Sequence, residues 1–293
     1  PILLGNEEMI GKRAKRLGLD ISDIEIVNLR HDREAERRER YAKRLYEDRQ
    51  RLGVSYNEAL EKMFDRNYFG MMMVNFGDAD AFLGGTYSAA HSIGEIAKEV
   101  VGIRPSYKHF ASMHIINTKR GTYFLADTQV NKKVDEETLF DIARLTRNSV
   151  EYFAQKPVMA MLSYSNFGSS DETECLNSRH VVERMHELYP DLLIDGEMSI
   201  NFAMNRELRD ATFPFNRLKG EDVNALVFPS LGSAGTAYRM MLELGVGDVL
   251  GPIQMGLNKP IHYISVNSPV KSILNLAAMA AIDAQASGGA VDK

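Results

Sequence analysis

The sequence has one cysteine and no surplus of positive charge, and both shortages exclude a class of protein. With Cys175 alone, the chain cannot form an internal disulfide or a cysteine-based structural zinc site, and this usage fits a reducing cytoplasm. The net charge of −5 provides no basic field that could hold a nucleic acid. We therefore expect a cytoplasmic protein without a nucleic-acid partner.

Long apolar runs are also missing. No segment approaches the ~20 apolar residues that a membrane span requires. The nearest candidates, Tyr68–Phe76 and Leu274–Ile282, are predicted to be a core strand and a core helix. The chain shows no signal peptide and starts at Pro1, without a methionine and as if in the middle of a motif. We therefore expect it to be a piece of a longer polypeptide.

What is present is a globular composition with alternating elements. A hydrophobic fraction of 44% is ample for a core, and 293 residues predict one large or two medium α/β lobes. We place the approximate lobes at residues 1–155 and 156–293. Alternating strands and helices predict a largely parallel sheet. The charge-dense segment His31–Arg51 is predicted to be a helix with its charges on the surface.

The segment Val158–Asp171 is the most informative stretch of the sequence. Five apolar residues, Val158–Leu162, predict a strand covered on both faces, and the turn Ser163–Ser170 supplies small hydroxyls and a flexible backbone. Such a turn before a helix is a plausible phosphate cradle. Alternatively, its last residues, Ser169, Ser170 and Asp171, only cap the following helix.

Ligands of parallel sheets bind at the carboxyl ends of the strands, where four loops are predicted to converge. These loops are Gly84–Thr86, Ser163–Ser170, Asp195–Glu197 and Ser230–Gly235. Asp195 and Glu197 could form an acid/base pair. The other interpretation is that Glu197 only ties its lobe together by accepting backbone N–H bonds.

Two residue types are predicted to be structural. The seven histidines show no metal-binding spacing, so His91, His114 and His262 are interpreted as packed or surface side chains. Met71, Met72 and Met73 are interpreted as adaptable core filler. We therefore predict no metal site.

Several phrases of the sequence resemble the phosphate acetyl/butyryltransferase family in order and approximate spacing. They are GDADAFLGGT, FLADTQVN, MLSYSNFGSS, IDGEM, NALVFPSLGSAGTAYRMML, GPIQMGLNKPI and SILNLAAMAAIDA. The resemblance covers the whole chain, although the family's first strand and helix would lie upstream of Pro1. It implies a two-lobed α/β/α fold like that of isocitrate and isopropylmalate dehydrogenases. It also implies a cleft between the lobes for acyl phosphate and coenzyme A, and a homodimer or higher homo-oligomer.

The resemblance also shows which catalytic groups are replaced. Active members carry Ser-Arg-Gly after the Lys-Pro turn and an aspartate seven residues beyond that serine. Here Ser265 is retained, whereas Val266 and Ser272 occupy the arginine and aspartate positions. A second family arginine is replaced by Glu95 or a neighbour, and a Gln-x-Asp by Ser199-Ile200-Asn201.

These replacements predict little activity. Removing one transition-state donor costs ~100- to 1,000-fold in rate, and loss of a general base costs a comparable factor. A carboxylate at Glu95 would repel an anionic substrate by ~4 kcal/mol at 4 Å and intermediate dielectric. Compensation could come from Arg144, Arg147 or Lys259. We therefore assign no catalytic residue, with Ser265 the retained family position.

The pattern is most similar to the phosphotransacetylase-like C-terminal domain of large NADP-dependent malic enzymes. That resemblance implies a regulatory and oligomerisation domain that binds acetyl-CoA or coenzyme A, with the helix 272–286 at a subunit interface. NADP and Mg²⁺ or Mn²⁺ would belong to the parent enzyme. The alternatives are an active phosphate acetyltransferase and a purely structural domain. The predicted ligand-binding residues are Gly85, Thr86, Ser163, Ser165, Asn166, Gly168, Ser169, Ser170, Asp195, Glu197, Lys259, Ser265 and Asn267.

Overall fold

The structure, a computed structural model, describes residues 1–86, 90–265 and 267–288, without the side chains of residues 86, 90–92, 287 and 288. Within these ranges the strands are β1 Ile2–Leu4, β2 Glu25–Val27, β3 Phe82–Thr86, β4 Ala111–Thr118, β5 Gly121–Ala126, β6 Val158–Leu162, β7 Leu193–Met198, β8 Ala225–Val227, β9 Gly247–Met255 and β10 Ile261–Ser265. The α-helices are α1 Glu7–Arg16, α2 Ala35–Arg49, α3 Tyr56–Lys62, α4 Arg66–Phe76, α5 Ala90–Val100, α6 Glu136–Tyr152, α7 Thr173–Leu188, α8 Ile200–Met204, α9 Arg206–Thr212, α10 Leu231–Glu243 and α11 Val270–Gly288.

The largest sheet is six-stranded, in the order β7-β6-β8-β5-β4-β9. The first four of these strands run parallel, and β4 is antiparallel to both of its neighbours. The predicted α/β fold with a mostly parallel sheet is therefore confirmed, with an antiparallel region on one side. Because four parallel strands end at the same edge, the residues that follow them lie side by side.

The strand β6 is buried on both faces, as its apolar run predicts. Met159 and Met161 belong to a core with α6 and α7, whereas Ala160 and Leu162 belong to a second core that includes Ala203 of α8. Side chains of a strand alternate between faces, so this division is the expected one. The central strand is thus held by both hydrophobic cores of the six-stranded sheet.

A third core surrounds two small parallel sheets, β1-β2 and β10-β3. Ile261 and Tyr263 of β10 lie in this third core, while Ile264 belongs to the core of the large sheet that contains α6 and α7. The strand β10 therefore contributes side chains both to the third core and to the core that contains α6 and α7. In its parallel pairing with β3, Ser265 is opposite Thr86.

The segment Tyr68–Phe76 is helical, so its prediction as a strand was wrong. Asp65 caps α4 by accepting the N–H groups of Asn67 and Tyr68, and Gly77 ends the helix with a φ of 77°. The periodicity of this short apolar run does not distinguish a helix from a strand, and the two capping residues identify it as a helix. Its methionines are buried core residues, which confirms their interpretation as filler.

Two further predictions need correction. Gly84 and Gly85 lie within β3 rather than in a turn. Arg38 of the charge-dense helix is buried, not superficial, because its guanidinium donates to Leu29 O at 2.6 Å and His31 O at 2.9 Å. A buried guanidinium is tolerated when backbone oxygens replace its water.

The C-terminal helix α11 is buried on one face only. Leu276 and Met279 are buried, whereas Val270, Leu274 and Ile282 are 80%, 67% and 49% exposed. The prediction that this helix is buried therefore holds for one face. The sequence also predicts a helix from about Ala89 to Val100 and a loose tail at Gly288–Lys293. Ala89 and residues 289–293 lie outside the described residues, and Gly288 is the last residue of α11. Among the helices in the described ranges, none combines the length and the apolar character that a membrane span needs.

Candidate ligand-binding site at the carboxyl ends of the strands

The predicted turn Ser163–Ser170 follows β6 and closes onto Glu197 of the neighbouring strand β7. Glu197 is fully buried, and its Oε1 accepts the Ser165 hydroxyl at 2.8 Å and the Gly168 N–H at 2.9 Å. Since the Ser165 hydrogen is used by Glu197, the Ser169 hydroxyl is the donor across the 2.8 Å contact between the two serines. A single carboxylate therefore organises the turn.

The charge of Glu197 is matched by Arg179 of α7. Arg179 Nε lies 3.4 Å from Glu197 Oε2, and both atoms are buried without another hydrogen-bond partner. The same guanidinium donates to Ser170 O at 2.6 Å, which fixes the end of the turn. This ion pair compensates for the burial of a charge that would otherwise be costly.

This arrangement restricts the predicted phosphate cradle. The donors of Ser165 and Gly168 face Glu197, so an anion cannot use them where they stand. Tyr164 and Ser169 lie on the outer side of the turn and are exposed. A ligand would therefore contact the outer rim of the turn rather than enter it.

The alternative interpretation, in which Ser169, Ser170 and Asp171 cap the following helix, was wrong. The helix α7 begins at Thr173 and its N-cap is Glu172, which makes no side-chain capping bond. Ser170 accepts the Glu172 N–H at 3.3 Å, ahead of the helix. Ser169 and Ser170 thus shape the turn and leave the first turn of the helix to water or ligand.

Asp195 and Glu197 have separate environments although both belong to β7. Asp195 accepts the Arg217 N–H at 2.7 Å and the Gly196 N–H at 2.9 Å, and burial raises the pKa of its carboxyl. Glu197 instead accepts the N–H of Gly168. The contacts favour the interpretation that Glu197 ties its lobe together over the interpretation as an acid/base pair.

A second organising carboxylate, Asp127, was missed by the sequence reasoning. It follows β5 and accepts bonds from Ser112 N and Oγ, Gln129 N, Val130 N, and Asn131 N and Nδ2, at 2.7 to 3.2 Å. The available signal was an aspartate directly after an apolar strand, within the phrase FLADTQVN. Asp127 fixes the loop at the carboxyl end of β5.

Next to Asp127, a buried histidine extends the polar network. His114 Nδ1 is 2.8 Å from Thr128 Oγ1, and Thr128 Oγ1 is 3.2 Å from Ser112 Oγ. The imidazole ring of His114 stacks on the ring of Tyr238, with 3.7 Å between the ring centres. Burial, with a contribution from Arg239, lowers the pKa of His114 to about 3. The imidazole is therefore neutral, and it is packed as predicted from the absence of metal spacing. His262 is also buried, and the side chain of His91 lies outside the described residues.

The strand β10 brings Ser265 to the same region. Ser265 is the exposed last residue of β10, and its Oγ accepts the Asn267 N–H at 3.4 Å. Two residues earlier, burial raises the pKa of Tyr263, and the charges of Asp127 and then Glu95 raise it further. The phenol of Tyr263 therefore stays protonated at neutral pH.

The structure brings together only some of the predicted ligand-binding residues. Gly85 is opposite Ile264 in the β3-β10 pair, so the ends of these strands meet near Ser265. Lys259 precedes β10 and lies at its opposite end. The side chain of Thr86 and all of Val266 lie outside the described residues. Lys259 and Ser265 therefore lie at opposite ends of one strand.

The other two candidate compensating cations are engaged elsewhere. Arg144 stacks on Tyr107, with its carbon Cζ 4.5 Å from the ring centre, and donates to Ser106 O at 2.9 Å. Arg147 lies 4.2 Å above the ring of Tyr189 and pairs with Glu151 at 2.7 Å. Both belong to α6 and contribute to packing there. Among the described residues, no cluster of histidine, cysteine or carboxylate side chains could hold a metal ion.

Comparisons with known proteins identify relatives of two kinds. A family model described as phosphate acetyl/butaryl transferase matches residues 1–281. The NADP-dependent malic enzyme of Salmonella typhimurium is 34% identical over 290 residues, which cover 97% of this chain and 38% of that enzyme. The phosphate acetyltransferase of Thermoanaerobacterium thermosaccharolyticum is 31% identical over 291 residues, which cover 97% of this chain and 87% of that enzyme.

The fold is shared with solved structures. A phosphotransacetylase from Streptococcus pyogenes matches with a TM-score of 0.85 at 27% identity, covering 99% of this chain and 86% of that chain. EutD phosphotransacetylase from Staphylococcus aureus matches with a TM-score of 0.81 at 28% identity, covering 98% of this chain and 86% of that chain. The chain thus spans most of each of these structures, but only 38% of the length of the malic enzyme it matches.

Proposed function

Because this chain belongs to the phosphate acetyl/butaryl transferase family, we propose that it is the coenzyme A-binding, regulatory and oligomerising part of an NADP-dependent malic enzyme. The parent polypeptide would oxidise and decarboxylate malate with NADP and Mg²⁺ or Mn²⁺, in a part that precedes this chain. In this proposal the chain binds acetyl-CoA or coenzyme A in the family's cleft, with little or no acetyl transfer.

The observation that carries the proposal is the replacement of the family's catalytic groups around the retained Ser265. By the family resemblance, Val266 and Ser272 stand where a cation and a base would act. Acetyl transfer from acetyl phosphate needs cations to hold the phosphate and a base to form the thiolate. Ser265 therefore lacks the cation and the general base that accompany this serine in active members of the family.

The rim of the Ser163–Ser170 turn supports a binding role. Asn166 and Phe167 are half-buried, Tyr164 is 65% exposed, and the whole turn is fixed by Glu197 from below. A preorganised rim binds a ligand without an ordering cost. Coenzyme A would lie along this rim, with its thioester directed to Ser265 and Asn267.

An active phosphate acetyltransferase is the second candidate. It is favoured by the match to the Thermoanaerobacterium acetyltransferase, of which this chain covers 87%, and by the retained Ser265. In that case acetyl phosphate and coenzyme A would be converted at an appreciable rate, and Ser265→Ala would abolish the conversion.

The absence of tryptophan from the sequence allows a direct binding experiment. Tyr164→Trp places a single fluorophore on the rim of the turn, and Tyr56→Trp on α3, at a tyrosine that is 39% exposed, is the control. We expect coenzyme A and acetyl-CoA to change the emission of the Tyr164→Trp variant saturably and to leave the control unchanged. In the same preparation, acetyl phosphate and coenzyme A should yield no acetyl-CoA above the uncatalysed rate.

Each other result excludes one role. Ser265-dependent acetyl transfer would overturn the regulatory proposal in favour of the acetyltransferase. Saturable binding that appears only in the Tyr56→Trp control would place the ligand elsewhere. Failure of both variants to respond, with unchanged circular dichroism, would leave the purely structural role and refute coenzyme A binding.

A further inference from the structure

A cavity lies at the end of β10 that is opposite to Ser265. Its volume is about 480 Å³, and it lies between α6, the segment 253–260 and α11. Small-molecule sites typically occupy ~300–1,000 Å³. The proposed function does not use this cavity, although the predicted ligand residue Lys259 lines it.

Two cations stand on one side of the cavity, and the backbone fixes the first of them. Arg104 donates its backbone N–H to Gly256 O at 2.9 Å and its Nε–H to Leu257 O at 3.1 Å. An isolated bridge between Ile103 and Leu257 holds the same two segments together. Lys259 lies two residues after Leu257 in the sequence and is exposed. The two positive charges are therefore anchored to a single turn.

Tyr107 adds a neutral donor beside these cations. Its hydroxyl oxygen accepts Asn148 Nδ2 at 2.7 Å, so the hydroxyl hydrogen remains to be donated. Burial raises the pKa of Tyr107, whereas the charges of Arg144 and then Arg104 oppose that shift, which places Arg104 near the ring. The phenol is protonated at neutral pH, and its donor complements the two cations.

The wall also contains apolar side chains, Leu145, Phe153, Ile253, Met255 and Met279, which alternate with polar ones such as Asn148, Ser149 and Gln254. The acidic residue of the cavity, Asp283, is engaged by a histidine. His262 Nδ1 accepts the Gln254 N–H at 3.3 Å, so Nε2 carries the proton that is donated to Asp283 Oδ2 at 3.0 Å. Asp283 therefore holds α11 against β10.

We propose that this cavity binds an organic anion with an apolar body, whose carboxylate or phosphate head is held by Arg104, Lys259 and Tyr107. A small inorganic anion is not expected as the preferred ligand, because it would leave the apolar side chains of the wall without contacts and most of the 480 Å³ unfilled. The site is separate from the rim of the Ser163–Ser170 turn, because no residue of that turn lines the cavity. It is independent of whether the chain binds coenzyme A.

The Tyr152→Trp variant is the reporter, because Tyr152 lines the cavity and the natural sequence has no tryptophan. The probes are benzoate, phenyl phosphate and inorganic phosphate. We expect saturable emission changes with one or both aromatic anions, and the better probe identifies a carboxylate or a phosphate head. Inorganic phosphate should bind at least tenfold more weakly than the better aromatic probe.

Variants in the reporter background test the assigned contacts. Arg104→Gln combined with Lys259→Gln should raise the dissociation constant at least tenfold, and Ser149→Leu should block the cavity from its α6 wall. The control Lys219→Gln removes an exposed cation outside the cavity and should change nothing. Circular dichroism and thermal unfolding confirm that each variant is folded.

Three results would overturn the proposal. The first is the lack of a saturable response to either aromatic anion in the folded reporter. The second is a response that survives both the double cation variant and Ser149→Leu. The third is equal affinity for inorganic phosphate, which would remove the role of the apolar walls.

Discussion

At the residue scale, Glu197 is the buried charge on which the turn after β6 depends. The Glu197→Gln variant keeps the shape of the side chain but leaves Arg179 without its buried partner, 3.4 Å away. We expect a loss of about 2 kcal/mol in the free energy of unfolding, because one member of a partly buried ion pair is removed. Urea denaturation measures this loss.

The control for Glu197→Gln uses the same arginine. Asp171 lies 3.3 Å from Arg179, but its side chain is 91% exposed. Asp171→Asn should therefore change the free energy of unfolding by less than about 0.5 kcal/mol. Equal effects of the two variants would show that the burial of Glu197 is not the source of its contribution.

His114 predicts a pH dependence of stability. Its pKa falls from 6.5 to about 3 on folding, mainly through burial, so the unfolded chain binds a proton that the folded chain does not. The stability contributed by neutral His114 is therefore present above the unfolded pKa and lost as the pH falls. The loss should approach about 1.4 kcal/mol per pH unit between about pH 6 and about pH 4.

His114→Asn removes this titration while retaining a polar side chain. The variant loses the stacking on Tyr238, which lowers its free energy of unfolding by an amount that does not depend on pH. The informative quantity is therefore the slope of the free energy of unfolding against pH. Urea denaturation across that pH range should show the wild-type advantage shrinking as the pH falls. A difference that stays constant with pH would contradict the buried, neutral assignment.

At the element scale, sequence reasoning located most helices and strands but misassigned α4. The run Tyr68–Phe76 has no helical alternation because residues 69–74 are all buried, so periodicity could not distinguish a helix from a strand. The deciding signals were local: Asp65 before the run and Gly77 after it. Both were visible in the sequence and indicate a capped helix.

Gly70 tests the packing of this helix. A Cβ at Gly70 would overlap the ring of Phe82 and come within 2.8 Å of Leu4 Cδ1. Gly70→Ala should therefore lower the free energy of unfolding by about 1–3 kcal/mol through overpacking. Gly11 of α1 is the matched helical control, because a Cβ there would have no neighbour within 4 Å. Gly11→Ala should raise stability by about 0.5–1 kcal/mol, as thermal or urea unfolding would show.

The candidate site was only partly predictable from the sequence, for a physical reason. The Ser163–Ser170 turn is evident from its composition next to its strand. Asp127 acquires its role through Ser112, 15 residues away on an antiparallel strand, and no local pattern records that pairing. Lys259 was predicted as a ligand-binding residue, and the structure places it before β10, at the opposite end of that strand from Ser265.

At the scale of the whole molecule, the helix α11 presents exposed apolar side chains. Val270 and Leu274, about one helical turn apart, are 80% and 67% exposed, and Ile273 is 39% exposed. Exposed apolar residues that are grouped on one helix face are typical of interaction surfaces. This distribution supports the proposal that the chain oligomerises through α11.

Leu274→Glu is the most direct test of that interface. In a monomer the substitution would alter an exposed side chain and change stability by less than about 0.5 kcal/mol, whereas in an interface it would bury an unpaired charge. We expect light scattering coupled to size exclusion to show a shift from a multiple of 32.9 kDa to that mass itself. The control Leu17→Glu, at a leucine 63% exposed beyond α1, should leave the assembly intact. Because the candidate site does not include Leu274, the monomeric variant should still bind coenzyme A, and an oligomer that survives Leu274→Glu would place the interface elsewhere.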